Sequence, residues 1–151
     1  MRWAAILTAL FIALVAATAA AAAQDMEVID WPGMPHDLPF SSAVRVGDML
    51  YLSGQIGLKP GTLQLVEGGA GAETRQTLEN IKAVLEYAGS SMDRVVKCTV
   101  FLLDMSDYGW MNEIYGTFFA DKPPARSTIA GSGLALGARV EIECIALAGK
   151  K

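Results

Sequence analysis

Apolar and polar positions along the 151-residue chain change period several times, and each change predicts an element. Ala43-Val44-Arg45-Val46 alternates as a short strand, Gly47-Asp48 offers a tight turn, and residues 49–56 return as a second strand rich in β-favouring side chains. Ser53-Gly54 interrupts that run; glycine inside a strand marks a bulge or the close approach of a ligand or another backbone. Residues 58–71 read as a loop. Over 72–88 the period becomes helical: Leu78, Ile81, Val84, Leu85 and Ala88 recur at spacings of three and four, Gly89 stops the run, and Glu73, Arg75, Glu79 and Lys82 take other faces. Residues 95–103 are apolar and β-branched apart from Lys97, as in a central strand. Asp104-Met105-Ser106-Asp107 supplies N-cap candidates for a second helix over 107–120. Its stripe of Tyr108, Met111, Tyr115, Phe118 and Phe119 has the spacing of a core face. Residues 126–130 and 138–148 read as strands around a Gly-rich loop. The order ββ-α-β-α-ββ predicts an α+β fold, a mixed sheet with two helices packed on one face.

The N-terminus follows a different pattern. One positive charge at Arg2 precedes an uncharged run over residues 3–24, in which an apolar core gives way to small residues ending Ala21-Ala22-Ala23. This is the layout of a secretory signal peptide over 1–23, which places the mature protein in the periplasm or outside the cell, free of the membrane once cleaved. An uncleaved anchor is the competing reading, since about 20 apolar residues span a bilayer. Residues 24–38, with Pro32, Gly33 and Pro35, read as an irregular lead-in, and 39–151 as one domain. About 130 residues suffice to bury roughly two thirds of the unfolded surface.

Charge and rare residues narrow the function classes. The net charge is −4 and no Lys/Arg cluster is present, which argues against nucleic acid as a partner. The glycines of 58–71 lack the spacing of a phosphate cradle. The one histidine, His36, sits in the lead-in and reads as a surface residue; without a His/Cys cluster a metal site is not indicated. Cys98 and Cys144 lie in apolar strand runs and read as buried free thiols, with a single disulfide, permitted in an exported chain, as the alternative.

Candidate chemistry gathers in Pro123-Pro124-Ala125-Arg126-Ser127-Thr128 and Val140-Glu141-Ile142-Glu143. The prolines bar a helix from running into Arg126. A guanidinium on a strand edge can hold a carboxylate through two parallel hydrogen bonds, and Glu143 can then orient water or handle a proton. On residue type alone, ordinary surface charges are the competing reading. In the last strand Val140, Ile142, Cys144 and Ala146 point one way, and Glu141, Glu143, Ile145 and Leu147 the other. Ile145 and Leu147 do not suit a solvated face, so that face is expected to be partly covered, most simply by another subunit.

These segments, together with Pro39-Phe40-Ser41-Ser42, Leu52-Ser53-Gly54-Gln55-Ile56, Thr74-Arg75-Gln76-Thr77-Leu78-Glu79-Asn80, Val96-Lys97-Cys98-Thr99-Val100 and Asn112-Glu113-Ile114-Tyr115, resemble in order and spacing the RidA/YjgF family of enamine/imine deaminases. The resemblance covers residues 39–148. It implies a chorismate-mutase-like fold and a homotrimer with inward-facing sheets and clefts between subunits. It also implies a 2-iminobutanoate/2-iminopropanoate deaminase-like hydrolase that acts on small 2-enamine or 2-imine acids without a cofactor. By the same resemblance Arg126 would grip the substrate carboxylate and Glu143 would position the hydrolytic water. Ser53 and Gly54 would line the pocket, Thr128 would touch substrate, and Asn112 would lie near the subunit boundary. Two positions depart from the family pattern: Phe40 stands where tyrosine is usual, and Thr128 where cysteine is frequent. A trimer that binds a small carboxylate without turning it over is the alternative reading.

Overall fold

A computed structural model describes residues 25–35 and 37–149; the segment expected to be a signal peptide, 1–23, and His36 lie outside the described residues. The first strand, β1 (Met26–Ile29), falls in the segment expected to be irregular. It pairs antiparallel with β2 (Ala43–Val46), so Met26-Glu27-Val28-Ile29 finds a partner despite the prolines that follow it. β2 turns through Gly47, at φ +56°, into β3 (Met49–Leu52). That conformation suits glycine and lets a two-residue turn follow the strand twist. The expected return strand is split at Ser53-Gly54, and β4 (Gln55–Ile56) continues beyond the break.

The first helix, α1 (Gly69–Tyr87), begins three residues earlier than the periodicity suggests. Glycines score poorly as helix formers, but here packing overrides propensity: Ala70 is buried and its carbonyl accepts from Thr74 Oγ1 at 2.6 Å. Leu78, Ile81, Val84 and Leu85 are fully buried, as the spacing of three and four requires. Glu73 is not on an outer face as expected; it is buried, and its Oε2 accepts from the Arg139 backbone N–H at 2.8 Å. Asn80 on the same helix donates to the carbonyls of Ile56 and Leu58 at 3.2 and 3.0 Å, which ties α1 to the chain leaving β4. A buried polar group stays satisfied only through such partners.

β5 (Val95–Leu102), α2 (Tyr108–Phe118) and β6 (Ala125–Ala130) follow, and β7 (Val140–Leu147) closes the sheet. The strand order is β1-β2-β3-β7-β5-β6, with β4 also against β7. β5 and β6 are parallel and their neighbours antiparallel, so the sheet is mixed, and both helices lie on one face. This is the α+β arrangement that the element order predicts. That face buries Leu50, Cys98, Val100, Leu102, Val140, Ile142, Cys144 and Ala146 under α1 and α2. Burying each large aliphatic there contributes about 1.5–3 kcal/mol.

The free-thiol reading of the cysteines does not hold. Cys98 and Cys144 are directly opposed on β5 and β7 and form a disulfide, with their Cα atoms 4.2 Å apart. Both are buried, as expected of apolar strand runs, but burial carries no information about cross-strand register, and register is what brings the sulfurs together.

Candidate functional site

The arginine half of the site is built by one strand–helix–strand unit. α2 crosses over from β5, and Pro123-Pro124 forces extended chain before β6. β6 lies at the sheet edge in parallel register, with Arg126 opposite Cys98 and Thr128 opposite Val100. Partners in register share a face, so Arg126 and Thr128 point, like Cys98 and Val100, toward the helices. The contacts agree. Arg126 Nη2 donates to Tyr108 Oη at 3.0 Å and to Asn112 Oδ1 at 2.8 Å. The guanidinium carbon lies 4.6 Å from the centroid of the Tyr115 ring and 5.7 Å from that of Tyr108. All its partners are neutral, and its Nε and Nη1 groups have none among the described residues, so donors remain for an external anion. Thr128 Oγ1 and Tyr115 Oη, both buried, are also without a hydrogen-bond partner there. Burial pushes the Tyr115 hydroxyl up to about 12, against the lowering influence of Arg126, so this phenol is neutral at physiological pH.

Glu143 occupies the opposite face. It pairs with Thr99, which in turn pairs with Ser127, and its chain neighbours Ile142 and Cys144 are buried on the helix side. A shallow cleft on this open face is lined by Tyr51, Lys97, Thr99, Glu143 and Ile145. Lys97 Nζ donates to Ser127 Oγ at 2.6 Å along its rim. Glu141 lies two residues before Glu143 on the same face. A Cβ built on Gly54 would collide with Glu141 Oε1 and stand only 3.0 Å from its Cδ. The strand break at Ser53-Gly54 therefore admits a carboxylate side chain, which neither a bulge nor an approaching backbone would explain. Burial first, and the neighbouring Glu143 second, raise the Glu141 carboxyl above the ordinary glutamate range.

The remaining candidates divide between these two regions. Ser53 donates through Oγ to the Ser41 carbonyl at 2.6 Å and braces the start of the break. Phe40 is 51% exposed, in a groove with Trp31, Met34 and Leu38. Asn112 and Thr128 belong with Arg126; Gly54 belongs with the acidic strand. Arg126 and Glu143, expected to act together, are brought to opposite sides of the sheet and do not meet within one chain. Tyr108, Tyr115 and Glu141 escape the sequence reading as site residues. The two tyrosines sit in a stripe with core spacing; Tyr115 is indeed buried, yet its ring face is given to Arg126. Only their spacing from Asn112, four and three residues on one helix, carries a signal of shared purpose.

Residues 34–148 match the family model described as endoribonuclease L-PSP. The mouse protein named 2-iminobutanoate/2-iminopropanoate deaminase is 48% identical over 111 residues, spanning 74% of this chain and 82% of the mouse protein. Protein DfrA of Myxococcus xanthus is 46% identical over 111 residues, 72% of this chain and 85% of that protein. Among solved structures, the YjgF gene product of E. coli superimposes with a TM-score of 0.75 at 34% identity, covering 80% of this chain and 98% of its own.

Proposed function

Because the chain belongs to the endoribonuclease L-PSP (RidA/YjgF) family, we propose that it hydrolyses small 2-enamine and 2-imine acids, of the 2-aminoacrylate and 2-iminopropanoate type, to 2-oxo acids and ammonia. The observation that carries this reading is the presentation of Arg126: a guanidinium fixed by neutral groups on α2, with Nε and Nη1 left for a carboxylate. Two N–H donors on one carboxylate fix the imine carbon in place, and such positioning is the larger part of the rate gain. Water then adds to that carbon as Glu143 takes its proton; the carbinolamine nitrogen is protonated and leaves as ammonia as the carbonyl forms. The balance is one water consumed and one ammonia released for each imine.

A second copy supplies the missing proximity. Arg126 and Glu143 point to opposite faces in one chain, so a cleft that uses both combines Arg126 of one copy with Glu143 of the next. The homotrimer implied by the resemblance provides this. The open face supports it too, because Met26, Val28, Tyr51, Ile129 and Leu147 are each at least 41% exposed there, more apolar surface than a solvated sheet face carries by choice. The Cys98–Cys144 disulfide supports the exported location read from residues 1–23, since disulfides persist in oxidising compartments.

The test is ammonia or 2-oxo acid release from an imine generated in situ by an amino-acid oxidase. Wild-type protein should accelerate release, and Arg126→Ala should lose at least about 100-fold in kcat/KM, the scale of a lost charge-assisted clamp. Unchanged activity in that variant overturns the assigned roles. Arg126-dependent binding of a 2-oxo acid without turnover by the wild type would instead select the binding-protein reading.

A further inference from the structure

The direction in which Arg126 points is set by α2. Tyr108, Asn112 and Tyr115 lie four and three residues apart, so they form one stripe along one side of that helix. The first two accept from the same nitrogen, Nη2. The third lies beneath the planar cation, with the guanidinium carbon 4.6 Å from its ring centroid. A guanidinium is attracted to an aromatic face, and the ring backs from one side the plane that the two hydrogen bonds from Nη2 define. Tyr115 is itself immobile: it is only 5% exposed and packs on Phe119, one turn on, with ring centroids 4.6 Å apart. Its hydroxyl has no partner among the described residues, so it is packing, and not a hydrogen bond, that holds the ring.

We propose that Tyr115 is a positioning residue for the reaction, whose ring face sets the guanidinium plane of Arg126 and with it the selectivity for a carboxylate-bearing substrate. The inference rests on the carboxylate-binding role proposed for Arg126 and deepens it. It makes the π-face the working part of the side chain and leaves the hydroxyl without a role in binding. Phenylalanine should therefore replace Tyr115, and an aliphatic side chain of adequate volume should not.

The probe is 2-oxobutanoate, the oxo acid that hydrolysis of 2-iminobutanoate would give, with its neutral amide as control. Binding is measured by calorimetry on the full oligomer. Wild type and Tyr115→Phe should bind 2-oxobutanoate within about two-fold of each other, while Tyr115→Met should bind at least about ten-fold more weakly, the scale of a desolvated cation–π contact. The amide should bind weakly and equally to all three. In turnover, KM for the imino acid should rise in Tyr115→Met by a larger factor than kcat falls. Methionine fills the core space without a ring, and Tyr115→Leu serves as a second aliphatic variant should the first fail to fold. Folded aliphatic variants that bind the oxo acid as wild type does, or a Tyr115→Phe protein as impaired as Tyr115→Met, overturn the proposal. Absence of 2-oxobutanoate binding by the wild type overturns the carboxylate reading itself, a result distinct from either.

Discussion

Glu141 shows how a single carboxyl can report on its surroundings. Burial, and then the charge of Glu143, hold its carboxyl above the ordinary glutamate value of 4.5. The native state therefore binds a proton that the unfolded chain releases. By linkage, stability falls as pH rises through the window from that ordinary value to the raised one. Glu141→Gln should raise the melting temperature at neutral pH, and the difference should shrink to nothing below about pH 4. Melts over that pH range check it, and a difference that does not change with pH counts against it. Gly54 gives a companion prediction. In Gly54→Ala the new methyl meets the end of the Glu141 side chain, which must swing away. Turnover should fall by more than stability does, and adding Glu141→Ala should recover part of the lost stability, a non-additivity read by a double-mutant cycle. The interruption at Ser53-Gly54 was legible in the sequence. The group that fills it was not, because Glu141 arrives through the pairing of β4 with β7, a contact that no local pattern encodes.

At the scale of elements, the periodicities of 43–56, 72–88, 95–103 and 138–148 translate into strands and a helix with shifts of a few residues at their ends. The misses share a cause. Met26–Ile29 forms β1 because β2 offers an edge, and α1 starts in glycines because Ala70 has a core to enter. Tertiary partners decided both, against local propensity. The cysteines follow the same logic: alternation told that they were buried, and only the β5–β7 register told that they were joined. Their bridge spans 46 residues. On the chain-entropy view, closing a loop of that length stabilises the fold by about 4 kcal/mol. A Cys98→Ala, Cys144→Ala chain should accordingly melt roughly 10 °C lower than the oxidised wild type, and the wild type should lose a similar margin in reductant. Melting curves that coincide with and without reductant would contradict this. Because Cys144 is next to Glu143 and Cys98 stands in register with Arg126 on the neighbouring β6, the same bridge fastens the glutamate's strand, β7, to β5, the strand against which the arginine's strand is paired.

For the molecule as a whole, the open sheet face is the feature from which most follows. If it is the proposed subunit contact, placing charges on it should separate the copies. Tyr51→Lys combined with Ile129→Glu is expected to move the protein from three chain masses to one in sedimentation, with the far-UV spectrum retained, since neither side chain belongs to the helix-side core. A double variant that stays fully assembled would place the contact elsewhere. The architecture of one chain could be read from its pattern of residues. Ile145 and Leu147 already pointed to a second copy over the open face, but how the two charges divide between the faces was not legible, because only the parallel register of β6 shows that Arg126 and Glu143 face apart. That division has a genetic consequence. An Arg126→Ala chain and a Glu143→Gln chain, each inactive alone, carry complementary lesions. Dissociated, mixed in equal amounts and reassembled, they should regain activity, because some clefts then join an intact arginine to an intact glutamate. In a closed ring with random mixing that is about one cleft in four. Two broken versions of the protein would repair each other, as no pair of lesions confined to a single-chain site can.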